Sequence, residues 1–174
     1  MLFTELETER LVLKNISSND RDFVFQQFSS NFINRYLFDT EPLTDISGAD
    51  EIIAYYTTPE PRHQHRWILV HKQDSMKIGT CGLHGWNQGE AIAEIGYDLI
   101  EQYCGHGYMH EAISAMTEFA KSKMKVKNLT ACISEMNDKS IALVQRNGFI
   151  LTGDKNETFR NKEYLHHIYT LAIT

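Results

Sequence analysis

Cysteine is scarce in this chain. Three occur among 174 residues, Cys81, Cys104 and Cys132, widely spaced, odd in number and without a C-x-x-C pair. That excludes a disulfide framework and a cysteine zinc site, and it predicts a reducing, cytoplasmic setting. No apolar run approaches the ~20 residues a membrane helix needs, so no membrane partner is expected. The opening MLFTELETER turns acidic at once and has no basic n-region, so no secretory signal is expected either. Positive charge is in deficit, with 17 Lys and Arg against 23 Asp and Glu, a formal net of −6. Direct binding to nucleic acid needs a basic face, so it is excluded; a cationic substrate suits the sign better. Repeats, linkers and low-complexity tracts are absent too, and 42% apolar with 23% charged residues is an ordinary globular balance. One domain spanning residues 1–174 is the expectation.

What is present alternates between strand and helix periods. RLVLK (10–14) repeats with period two, and SSNDRDFVFQQF offers Ser and Asn caps before Phe23, Val24 and Phe28 on one helical face. SGADEIIAYY reads as a helix capped by Ser47, with Ile52, Ile53 and Tyr56 as its stripe. Pro59 and Pro61 set a loop. Three strands follow at 66–72, 77–86 and 91–100, then a long helix from Tyr108. LTACIS (129–134) is a further strand, and NDKSIALVQRNGF is a helix with Asn137 as N-cap and Gly148 as its left-handed stop. FILTG and YLHHIYTLAI close the chain as strands, with GDKNETFRNKEY (153–164) between them as a polar, poorly specified and mobile hairpin. The order is that of a mixed α/β domain.

The strand AIAEIGYDLI has two unlike faces. Ala91, Ala93, Ile95, Tyr97 and Leu99 point one way; Ile92, Glu94, Gly96, Asp98 and Ile100 point the other. Two carboxylates and a glycine on one face predict that something polar approaches there, with Gly96 admitting a ligand or a bulge. The competing reading is a strand with one side in solvent.

EQYCGHGYMHEAI (101–113) places Gly105 and Gly107 where strand gives way to helix. A helix N-terminus preceded by glycines suits an anion, diphosphate above all. A P-loop nucleotide site is excluded because no GK[ST] occurs, and a dinucleotide turn fails because the third glycine position is His110. A tight turn with glycines for geometry alone remains the alternative at this level.

The surrounding residues carry a resemblance. Gln102-Tyr-Cys-Gly105-His-Gly107 matches the Q/R-x-x-G-x-G/A motif of the GCN5-related N-acetyltransferase (GNAT) superfamily. Asn137-Asp-Lys-Ser140, followed by Asn147-Gly148-Phe149, looks like its second motif. TERLVLK and AEIGYDL resemble the RimJ/RimL branch, which acetylates N-terminal amines of ribosomal proteins. The likeness spans nearly the whole chain, in order.

The resemblance implies a single GNAT-type α/β domain. Its mixed, mostly antiparallel sheet would splay between the fourth and fifth strands read above, with helices on both faces. It implies acetyl-CoA as co-substrate and no metal. The N–H groups from Cys104 through Gly105, His106, Gly107 and Tyr108 to Met109 would cradle the diphosphate, with Gln102 beside them. Tyr97, Asp98, Leu99 and Ile100 would offer backbone to the pantetheine arm, and N–H groups near Tyr97 and Asp98 would polarise the thioester carbonyl. Asn137 would touch the same arm, and Arg146 and Lys139 are candidates for the 3′-phosphate.

Glu94 is the preferred base, since burial on the polar face would raise its pKa; Asp98 is a weaker candidate, expected exposed or capping the loop. A tyrosine acid common in relatives aligns with Val144 and is missing, which leaves Ser140 to protonate or hydrogen-bond the thiolate; its competing role is to serve the first turn of its helix. Cys132 reads as a small buried residue. His63, His65, His106, His110, His166 and His167 reproduce no metal motif, and at His166 relatives often carry aspartate. Phe32, Tyr36, Phe38, His84 and Trp86 are candidate walls for the acceptor.

The implied activity is direct acetyl transfer to a primary amine, on a protein N-terminus or a small molecule. The alternative is a non-catalytic acetyl-CoA sensor of the same fold, and a nucleotide hydrolase is disfavoured. The residues are silent on oligomeric state; the resemblance allows a homodimer.

Overall fold

A computed structural model describes residues 1–174. Its eight-stranded sheet is built from β1 (Leu6–Glu7), β2 (Leu11–Asn15), β3 (His65–His71), β4 (Lys77–Asn87), β5 (Ile92–Leu99), β6 (Asn128–Ser134), β7 (Ile150–Phe159) and β8 (Lys162–Ala172). The spatial order is β1-β2-β3-β4-β5-β6-β8-β7. Every pairing is antiparallel except β5 with β6.

The helices are α1 (Arg21–Ser29), α2 (Asn31–Asn34), α3 (Ser47–Tyr56), α4 (Tyr108–Ser122) and α5 (Asp138–Arg146). They cover both faces of the sheet because β3 sorts its side chains by pleat. Trp67 and Leu69 join Met109, Ile113, Met116 and Phe119 of α4 and Val144 of α5 in the main core. Ile68, between them, packs with Val24 of α1 and Ala49, Ile53 and Tyr56 of α3 in a second cluster. β3 is therefore nearly continuously buried, as a strand covered twice must be.

The parallel pair positions the site. β5 and β6 are registered only from Ile92–Asn128 to Glu94–Thr130. Beyond Glu94 they part, as expected for the fourth and fifth strands of the sequence reading. The gap opens towards the N-terminus of α4 and the first turn of α5.

Several local expectations need correction. The α3 entrance is capped by Asp45, whose Oδ1 accepts from Ser47 N at 2.8 Å; Ser47 is already inside the helix. α1 follows a short 3₁₀ turn in which Ser17 and Asp20 form the reciprocal cap. Gly96 carries no bulge: a Cβ there would lie 2.8 Å from the His84 ring, so the glycine makes room for that side chain. The irregularity between β4 and β5 lies instead between His84 and Asn87.

The stretch 153–164 is not a loose polar loop. β7 and β8 stay paired up to Phe159 and Lys162, with Arg160 and Asn161 at φ 51° and 61° making a two-residue turn. Both positive φ values belong to the turn type that matches strand twist, although Arg-Asn lacks the glycine that usually announces it. β1 and α2, of two and four residues, carry too little periodicity to be read from sequence.

Candidate functional site

A cleft of about 1460 Å³ follows the splay from the start of α4 to the loop after α2. At one end, Gly107 caps α4 with φ 84° and Gly105 has φ 80°, conformations that cost a side chain about 1–2 kcal/mol. They turn six consecutive N–H groups, Gly105 to His110, away from any partner within the protein. The first amide bond of the region is Glu111 N to Gly107 O, at 3.1 Å. Cys104 is a correction, since its N–H donates to Glu101 O at 3.0 Å and is no longer free. Gln102 and the His106 side chain lie outside the cleft lining, Gln102 in the preceding 3₁₀ turn and His106 stacked on Tyr108.

Sequence reasoning missed what holds this loop. Arg10, in the bend just before β2, donates through Nη1 to the His106 carbonyl at 2.9 Å and through Nε to Glu111 Oε2 at 2.8 Å. Its guanidinium lies 4.5 Å from the Tyr108 ring centroid. Glu111 is further fixed by Arg10 N at 2.7 Å and by a short contact with the Thr8 hydroxyl. The stretch TERLVLK was a usable signal, because its Thr and Arg are polar residues at a strand entrance with no hydrophobic duty.

In the middle of the cleft, β5 offers its backbone. Ile100 N donates to Ile78 O at 2.8 Å, and antiparallel alternation commits Asp98 to the same side. Tyr97 and Leu99 therefore turn their N–H and C=O groups to the gap, whereas Asp98 and Ile100 do not. Of the four residues expected to offer backbone, two present free groups to the gap, and Ile100 lies outside the lining.

Asp98 also departs from the sequence reading in its side chain. It is 9% exposed and forms an ion pair with Arg66 at 3.3 Å. Its oxygens also accept from Gln27 Nε2 at 2.7 Å, Thr80 N at 3.1 Å and the Thr80 hydroxyl at 2.6 Å. Burial pushes its pKa up, against the pull of Arg66 and these donors. With both oxygens occupied it is a buried structural anion, not an exposed cap or a base.

Arg66 links that anion to the other end of the cleft. Its Nη2 donates to the Tyr56 hydroxyl and to His84 Nε2, each at 3.1 Å, and Tyr56 lies 2.6 Å from the same nitrogen. A guanidinium can only donate, so Nε2 accepts and His84 is neutral with its proton on Nδ1. Burial, then the Arg66 charge, holds its pKa down at about 3.

Glu94, paired in register with His84, makes no side-chain hydrogen bond or ion pair. Solvent reaches it through the cleft, yet its pKa is raised, first by the surrounding protein mass and further by Asp39 and Glu157 against Lys155. Cys132 faces the same space; it is a half-buried cleft residue and not the fully packed one expected, because the splay uncovers β6. Burial, then Glu94, raises its thiol pKa and keeps it protonated.

On the other wall, Asn137 Oδ1 caps α5 by accepting from Ser140 N at 3.2 Å. Ser140 Oγ lies 2.6 Å from the Tyr97 hydroxyl. Lys139 and Arg146 line the same wall and are exposed, and Val144 is wholly buried.

Phe32, Tyr36, Phe38 and His84 line the end of the cleft away from the glycine loop; Trp86 does not, and packs on the main core. Phe38 stacks on Tyr164 with centroids 3.8 Å apart, and Arg160 Nε donates to Glu41 Oε1 at 2.8 Å. The loop after α2 and the β7–β8 hairpin thus meet and close one flank. His166, 7% exposed, stands edge-on to Phe38.

A family profile described as acetyltransferase (GNAT) domain matches residues 10–150. The uncharacterised N-acetyltransferase p20 of Bacillus licheniformis is 28% identical over 169 residues, covering 97% of this chain and 94% of that protein. Among solved structures, RimL, a ribosomal L7/L12 α-N-protein acetyltransferase in complex with coenzyme A, superposes with TM-score 0.88 at 16% identity, covering 98% of both chains. Spermidine N-acetyltransferase from Vibrio cholerae, in complex with CoA and spermine, gives 0.83 at 18% identity, over 94% of this chain and 95% of that one.

Proposed function

The chain belongs to the GNAT acetyltransferase family and is an N-acetyltransferase, and we propose that it transfers acetyl from acetyl-CoA to a small cationic primary amine. The observation that carries the acceptor class is the closed flank. Phe38 on Tyr164 and Glu41 with Arg160 narrow the amine end, whose free carboxylates Glu94 and Asp39 stand among aromatic walls. A protein N-terminus, the acceptor of the RimJ/RimL branch, needs room for a trailing chain and fits that flank less well.

The residues fit acetyl-CoA. Six free N–H groups at a helix N-terminus suit a diphosphate, and two glycines keep side chains out of its approach. Lys139 and Arg146, exposed on the cleft wall, would supply positive charge for a further phosphate. The unpaired edge of β5 at Tyr97 and Leu99 suits the amide-bearing arm. Acetyl-CoA, when bound, supplies an activated acetyl group.

The chain's own residues then have separable tasks. Glu94, with raised pKa and no partner, takes the proton from the incoming ammonium, directly or through a water, and so frees the nitrogen lone pair. A gap-facing N–H of β5 donates to the carbonyl oxygen as charge gathers there. Asn137 holds the start of α5, and Ser140 meets the sulfur end. Cys132 stays a protonated bystander, since its raised pKa opposes thiolate formation.

The test is thiol release from acetyl-CoA against a panel of polyamines, arylalkylamines, aminoglycosides, amino acids and peptides with free Ser, Ala or Met N-termini. Saturation by a small cationic amine is expected. Turnover confined to the peptides overturns the acceptor class, and silence across the panel overturns the amine reading.

A further inference from the structure

Ser140 is the only hydroxyl that the second motif brings to the cleft wall at the first turn of α5. Its amide N–H is spent on Asn137, so its hydroxyl orientation is decided by its one side-chain neighbour, the phenol of Tyr97 at 2.6 Å. Tyr97 reaches that point from β5, across the splay, and its hydroxyl has no other partner within the protein. Where relatives place a tyrosine on α5, this chain has the wholly buried Val144.

The direction of the bond follows from acidity. A phenol is a much stronger donor than an alkanol, so the Tyr97 proton lies on the bond between the two oxygens. Burial pushes the Tyr97 pKa up to about 12, so the proton stays in place throughout the working range. The serine oxygen is then an acceptor, and its own hydrogen must point elsewhere.

We propose that Tyr97 is a positioning residue for acetyl transfer: it donates to Ser140 Oγ and so turns the serine's own proton into the cleft, towards the departing sulfur. The inference rests on reading the cleft as an acetyl-transfer site. In the step it serves, the amine nitrogen forms the bond to the carbonyl carbon and the carbon–sulfur bond breaks with its electron pair on sulfur. Nitrogen gives up two protons in turn: the one taken from the ammonium before attack passes through Glu94 to solvent, and the one lost as the adduct collapses to the amide goes to the freed Glu94 carboxylate and on to solvent. Sulfur departs as a thiolate that accepts a hydrogen bond from Ser140 and takes its proton from solvent on release. Tyr97 and Ser140 keep their own protons, so neither has to be reprotonated between turnovers.

Tyr97→Phe, Ser140→Ala and the double variant are compared with the wild type in turnover and, by calorimetry, in affinity for acetyl-CoA and for free CoA. Each single variant is expected to lower kcat about tenfold, the worth of one hydrogen bond, with KM for acetyl-CoA within twofold. The double variant is expected to match Ser140→Ala, since Tyr97 acts through the serine. At about pH 9, where a thiol of ordinary pKa is ionised, Tyr97→Phe should weaken free CoA several-fold more than acetyl-CoA. If Tyr97→Phe lacks the wild-type melting transition, Tyr97→Leu carries the same comparison.

Wild-type turnover with an unchanged kcat in Tyr97→Phe overturns this inference alone, as does a double variant whose losses multiply. Equal weakening of CoA and acetyl-CoA assigns Tyr97 a merely structural role and overturns it as well. Absence of wild-type turnover with every amine overturns the acceptor reading and the inference together.

Discussion

Arg10 donates to the carbonyl oxygen of His106 at 2.9 Å, tying the first long strand to the glycine loop before α4. The same guanidinium holds Glu111 on the far side of that loop. The loop is thus clamped between β2 and the helix it introduces, with its six amide protons facing outwards.

Arg10→Ala is therefore expected to weaken acetyl-CoA by about tenfold, the cost of one charge-assisted hydrogen bond, with kcat at saturation within twofold of wild type. Calorimetric affinity and steady-state kinetics read the two effects separately. An equal loss in kcat would give Arg10 a role beyond the loop.

Gly107 sits at φ 84°, and a Cβ there would stand 3.3 Å from Arg10 Nη2. Gly107→Trp should abolish acetyl-CoA binding while the fold persists at a cost of about 1–2 kcal/mol. Calorimetry and a melting curve check the two halves of this statement. Unchanged affinity would contradict the diphosphate assignment.

Glu94 has a raised pKa and acts when deprotonated, so the rate should fall as pH drops through a value above the ordinary 4.5. Glu94→Gln should lower kcat by about a hundredfold or more and erase that acidic limb, with CoA affinity little changed. A pH–rate profile of the variant against wild type decides this. A retained limb would move the base elsewhere.

His65 and His84 both have pKa values held down at about 3 by burial, with Arg62 and Arg66 respectively adding to it. The unfolded chain binds a proton at each below about pH 6.5, whereas the folded chain does so only near 3. Stability is therefore whole above 6.5 and is lost as pH falls from 6.5 towards 3, by about 1.4 kcal/mol per pH unit for each histidine. Chemical denaturation at stepped pH should show that slope, and His84→Gln should roughly halve it.

Narrowing of the acceptor end rests on Phe38 against Tyr164. Phe38→Ala should raise KM for the amine by several-fold and leave KM for acetyl-CoA alone, since the stack is distant from the glycine loop. Equal changes in both would show that the flank supports the whole cleft.

The sequence was legible wherever a signal is local. The pleat of AIAEIGYDLI put Glu94 and Asp98 on one face, the cap pattern placed Asn137 and Gly148, and the glycine pair marked the helix start. It failed where partners come from afar. Asp98 was expected near solvent because nothing in its own strand shows that Arg66, Thr80 and Gln27 converge on it. The tip of the last hairpin was expected to be loose because Arg-Asn does not announce the turn that Arg160 and Asn161 make.

By itself, then, the sequence determined the order of the longer elements, the glycine-marked helix start and the candidate base, because periodicity, capping and positive-φ glycines act over a few residues. Tertiary structure alone decided the rest: which edge of β5 is free, that Arg10 braces the glycine loop, that Asp98 is a buried anion, and that Tyr97 meets Ser140 across the splay. Those contacts join residues up to 101 positions apart in the chain. Only pairing of the strands and the packing of helices on both faces of the sheet bring them within hydrogen-bond distance.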